Sequence, residues 1–83
     1  MPRAAFVALV AMAAASPAGA QDPRLGRLDP ATQAAVGAVI DSARAVGLPA
    51  EPLIDRALEG STKRAAGDLI VAAVRRLAAQ LGR

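Results

Sequence analysis

The stretch that decides the fold is DPATQAAVGAVIDSARAVGLP, residues 29–49. Asp29 is a residue type that accepts hydrogen bonds from the free N–H groups at a helix start. Pro30 follows at the first helical position, where its missing N–H costs nothing. Val36, Val39, Ile40, Ala43 and Val46 recur at three-and-four spacing, which gathers them into one apolar stripe. Gly47 then offers the left-handed backbone that ends helices, and Pro49 blocks continuation. The spacing predicts a helix over residues 30–46.

Toward the carboxyl end the same signals recur. A shorter helix is predicted over 51–59, with Pro52 in its first turn, Leu53, Ile54, Ala57 and Leu58 as its buried stripe, and Gly60 as its terminator. Ser61–Gly67 reads as a polar, small-residue connector that holds the only lysine, Lys63. A third helix is predicted over 68–81, with Gly82 at its end. Ile70, Ala73, Val74, Leu77 and Leu81 form its stripe. Asp68 suits its positive amino end, and Arg75-Arg76 lie on its outer face. No segment alternates as a strand would. The expected architecture is therefore all-α, a small three-helix bundle or a helical hairpin plus one helix, within a domain spanning 29–83. Its core of Val, Ile, Leu and Ala is thin, so marginal stability, or stabilisation by self-association, is expected.

Toward the amino end, residues 21–28 read as a flexible arm punctuated by Pro23 and Gly26, with only Leu25 and Leu28 large and apolar. Before it, residues 1–20 carry the three parts of a secretory signal peptide in order. Met1-Pro2-Arg3 is basic, Ala4 to Ala15 is uncharged and apolar, and Ser16-Pro17-Ala18-Gly19-Ala20 is a small-residue tail. A peptidase that seats two small side chains in shallow pockets would take Ala18 and Ala20 and cut before Gln21. The apolar stretch spans only about 18 Å as a helix, short of a ~30 Å hydrocarbon core. Retention as an anchor and a cytoplasmic core helix are the competing outcomes, the latter opposed by a segment that is apolar on every face. No lipobox cysteine and no twin-arginine pair is present, so the expected address is a bacterial periplasm or exterior.

Composition removes whole classes of function. The 83 residues contain no Cys, His, Trp or Tyr, and the one Phe, Phe6, lies in the leader. Disulfides, thiolate chemistry and neutral-pH histidine catalysis are thereby closed, as is base stacking on aromatic platforms. The net charge of +3 falls to +2 once Arg3 leaves with the leader. So small and interspersed a charge favours solubility over nucleic-acid binding.

The remaining constellations are sparse. Asp55 and Glu59 share a helix face but lack the further oxygen ligands a hard cation needs. Ser42, Ser61, Thr32 and Thr62 have no base in range, so no catalytic residue is assigned and no enzyme is expected. Gly60 and Gly67 bracket a connector without forming a phosphate loop. No cofactor site and no metal site is expected. Arg56, Lys63 and Arg64 make a basic spot at the junction of the second and third helices, a candidate anion contact.

Glu51-Pro52-Leu53-Ile54 through Ala57-Leu58-Glu59-Gly60-Ser61-Thr62-Lys63, then Ile70-Val71-Ala72-Ala73-Val74-Arg75, resembles a segment of uncharacterised exported bacterial proteins. In those proteins a helix ends in E-G-x-x-K-G before a turn and I-x-x-A-V. The chain departs at Arg64, where that pattern has Gly. The resemblance spans about 30 residues of this sequence and implies a helix–turn–helix hairpin and an exported address, without an activity. The expected role is that of an exported helical module acting by protein–protein contact or self-association. The alternative is a peripheral protein that meets anionic lipids through Arg and Lys, opposed by the lack of interfacial aromatics.

Overall fold

The computed structural model describes residues 22–83. The expected signal peptide and its cleavage residues Ala18, Ala20 and Gln21 lie outside the described residues. The described chain is all-α: a 3-10 turn over Pro23–Arg27, then α1 (Pro30–Ala45), α2 (Glu51–Thr62) and α3 (Gly67–Leu81).

The start of α1 is as the sequence indicates. The Asp29 carboxylate accepts from the Thr32 backbone N–H at 3.1 Å and from the Thr32 hydroxyl at 2.6 Å, so one side chain closes the helix start twice. Its end is a paired closure: Leu48 N–H reaches back to the Ala43 carbonyl and Gly47 N–H to that of Arg44, both at 2.9 Å, with Gly47 at φ +81°.

The end of α2 corrects the sequence-based expectation. The helix does not stop at residue 59; it runs through Gly60 to Thr62. Closure comes four residues later and copies that of α1. Ala65 N–H donates to the Gly60 carbonyl at 2.9 Å and Arg64 N–H to that of Ser61 at 3.0 Å, and Arg64 itself takes the left-handed conformation at φ +59°. Gly60 serves a different purpose inside the helix. A Cβ there would stand 2.7 Å from Ile70 Cγ1, so its missing side chain lets α3 lie close against α2. Arginine pays a steric cost in the left-handed region, from the contact of Cβ with the backbone, that glycine avoids. Arg64→Gly is therefore expected to raise stability by about 1 kcal/mol, read as a higher urea midpoint at unchanged slope. A neutral or destabilising result would mean that the turn is not closed in this way.

α3 packs against both other helices, whereas α1 and α2 meet each other little. Two contacts fix the directions. Gly67 at the start of α3 abuts Thr32 at the start of α1, and Gly82 at the end of α3 faces Leu48 just past the end of α1. α1 and α3 are thus parallel, with α2 antiparallel between them in sequence. Val36, Ile40, Leu53, Ile54, Ala57, Ile70 and Val74 form the buried centre. Leu58, Leu77 and Leu81 are only partly covered.

The segment expected as a flexible arm is the second correction. Residues 22–28 form a capped 3-10 turn that packs mainly on α2 and also on α1. Asp22 caps it, Pro23 presets its first turn, and Leu25 and Leu28 are buried, Leu25 completely. Spaced three apart, these two leucines project from one side of a helix with three residues per turn. They fill the space that α1 and α2 leave open, and so belong to the core.

Candidate functional site

Two charged assemblies stand out on the folded domain, and the sequence pointed to only one. The unforeseen one is centred on Arg24. Its guanidinium makes paired bonds to the Glu51 carboxylate, 2.9 Å to Oε1 and 2.8 Å to Oε2, and further bonds to Asp22, 3.1 Å to Oδ1 and 2.9 Å to Oδ2. Five fixed N–H donors on a planar fork suit two carboxylates at once. Glu51 opens α2, so the clamp ties the turn to the amino end of that helix.

Hydrogen bonds from Arg24 hold the Asp22 and Glu51 carboxyls below their ordinary values of 3.8 and 4.5, and the two carboxylates in turn raise Arg24. The bonds from Thr32 lower Asp29 in the same way. Carboxyls lowered by folding contribute stability that is present above their unfolded values and lost as pH falls through the folded ones. The chain has no His or Cys, the side chains whose ordinary values fall between about pH 5 and pH 9. The expected melting profile is flat over that window and falls steadily below about pH 4. A midpoint that moved between pH 6 and pH 8 by more than the free amino terminus accounts for would contradict this.

The second assembly contains the basic residues singled out from the sequence. Glu59 lies between Lys63 Nζ at 3.1 Å and Arg56 Nε at 3.8 Å. Helical spacing explains it, since three and four residues bring side chains onto neighbouring positions of one face. Hydrogen bonding from Lys63, with Arg56 adding its charge, lowers the Glu59 carboxyl. Arg64, the third member of the basic spot, stands in the left-handed turn, with its side chain exposed and in no ion pair among the described residues.

These charges rim an open groove of about 160 Å³ between α2 and α3. Gly60, Ile70 and Ala73 line it, and Leu69 stands at its edge with 61% of its surface exposed. The same glycine that admits Ile70 thus also shapes the groove. Leu69 falls outside the apolar stripe of α3, which is why a stripe-based search passes over it.

The other candidates remain apart. Among the described residues no group of three or more His, Cys, Asp or Glu side chains could hold a metal ion, so Asp55 and Glu59 gain no third ligand. Thr32 is buried with its hydroxyl donated to Asp29, a structural task. Among the described residues no helix is long and apolar enough to cross a membrane. Compared with family models, curated proteins and solved structures, the chain matches none.

Proposed function

We propose that this protein is an exported, periplasmic or secreted helical module that acts by contact with another protein. The observation that carries the proposal is Leu69. Among the described residues two large apolar side chains are exposed: Val46, expected in the stripe of α1 but 73% exposed just past its end, and Leu69 at 61%, which is the one that lines the groove. A single exposed apolar side chain is ordinary on a protein surface, but one that borders an apolar groove offers a partner's side chain both a contact and a recess. Residue types support the same reading, because the chain carries no His or Cys for the commonest nucleophile and base pairings. For the exported address, the support is the leader pattern of residues 1–20.

The test joins address to contact. A photoreactive side chain placed at position 69, in protein produced in an exporting bacterial host, is expected to yield a discrete protein adduct in the exported fraction. The intact mass of that material is expected to begin at Gln21. A product that retains Met1 in the cytosol would remove the exported address. Absence of any protein adduct would remove the contact role.

A further inference from the structure

We infer that the groove between α2 and α3 is a docking site for an acidic peptide segment of another protein, seating one apolar side chain beside Leu69 and placing carboxylates on Arg56 and Lys63. The inference rests on the interaction role proposed above and names the surface and the chemistry of the partner.

Size comes first. An apolar cavity of roughly 150 Å³ holds a benzene-sized group, so a groove of about 160 Å³ has room for one Leu, Ile or Phe side chain. Its apolar lining is Gly60, Ala65, Leu69, Ile70 and Ala73. Charge comes second. Arg56 and Lys63 border the groove on the α2 side. On α3, Arg76 follows Leu69 by seven residues and Ala73 by three, which puts it on the same face, and it is exposed. Asp55 on α2 and Asp68 on α3 are exposed nearby in sequence but do not line the groove. Among the residues that line it two cations meet one carboxylate, Glu59, which already lies between Arg56 and Lys63. That ion pair shows that both cations reach a common carboxylate position above the groove. It also makes Glu59 an internal competitor for an incoming acid.

The same charges decide among occupants. Two copies joined groove to groove would set the cations of one against those of the other, which disfavours a symmetric dimer through this face. The leader residues 1–20 contain no Asp or Glu, so they offer these cations nothing. A lipid surface is flat and is entered by protruding aromatic or aliphatic anchors, whereas this apolar surface is concave. An acidic segment with an embedded apolar residue satisfies both the cations and the cavity.

The probe is a random peptide library displayed on phage and panned against the purified protein. Enriched sequences are expected to carry Asp or Glu on both sides of a Leu, Ile, Met or Phe. Binding of the enriched peptide is expected to weaken at least about tenfold in Leu69→Glu and in Lys63→Glu and to fall with added salt. It should tighten several-fold in Glu59→Gln, where the competitor is neutral. Both disrupting substitutions are at exposed side chains, so unchanged thermal melts certify the fold. Enriched peptides that lack acids, or that bind both variants as well as the parent, overturn the groove assignment and leave the interaction role standing on another face. A library that yields nothing overturns the groove assignment too, and the adduct experiment at position 69 then judges the interaction role alone. Sedimentation with vesicles of equal parts phosphatidylglycerol and phosphatidylethanolamine, abolished by Lys63→Glu while no peptide is enriched, would reassign the surface to lipid and likewise overturn the proposal.

Discussion

Leu25→Ala is expected to destabilise the protein by about 3 kcal/mol, within the roughly 2–5 kcal/mol seen when a fully buried leucine is truncated. Leu25 is 0% exposed although it sits in a five-residue 3-10 turn near the amino end of the fold. Its side chain stands where α1 and α2 fail to meet, and the surrounding helices are held by α3, so they cannot collapse into the void. A domain of this size carries only about 3–9 kcal/mol in total. The variant is therefore expected to lose a large part of its stability, visible in urea unfolding followed by circular dichroism. Substitution of the exposed neighbour Arg27 by Ala provides the control and is expected to change little. If Leu25→Ala moved the midpoint no further than Arg27→Ala, residues 22–28 would be an arm after all.

The second large effect is expected at Gly67. A Cβ built there falls on the Thr32 hydroxyl oxygen and lies 3.3 Å from Asp29 Oδ1. Gly67→Ala must therefore push apart the starts of α1 and α3 or break the double cap that Asp29 makes with Thr32. Overpacking of this kind costs about 1–3 kcal/mol, and alanine's better helix propensity recovers less than about 1 kcal/mol of it. A net loss of about 2 kcal/mol is expected. The discriminating measurement is a double-mutant cycle with Thr32→Ala, which removes the atom that the new methyl strikes. The two substitutions together should cost clearly less than the sum of each alone. Simple additivity would place the close approach elsewhere.

The parts of the fold that follow from local chemistry were legible in the sequence. Asp29, Pro30 and Gly47 act within α1 itself, and three-and-four spacing identifies Val36, Ile40, Ile70 and Val74 as core without knowledge of a partner. What escaped depends on contacts between distant residues. Gly47 and Gly60 look alike on paper, yet one ends a helix through its own backbone angle, while the other admits Ile70 from the next helix. Only packing distinguishes the two roles. The left-handed turn at Arg64 escaped because propensity assigns that conformation to glycine, and the hairpin imposes it on arginine. The 3-10 turn did leave a trace in the three-residue spacing of Leu25 and Leu28, overshadowed by Pro23 and Gly26.

The candidate site divides in the same manner. Arg56, Glu59 and Lys63 are near in sequence, so their cluster could be read directly. The Arg24–Glu51 clamp joins residues 27 positions apart, and the apolar groove between two helices has no linear signature. Leu69 is informative for the opposite reason. It is an apolar residue off the stripe, and such exceptions to periodicity are where a surface role shows.

Because the last helix is the one on which both earlier helices lean, the order of synthesis runs against the order of assembly. Without α3 the apolar stripes of α1 and α2 would have little but each other and the Leu25 turn to cover them, so the core of the described residues closes only when all three helices are in place.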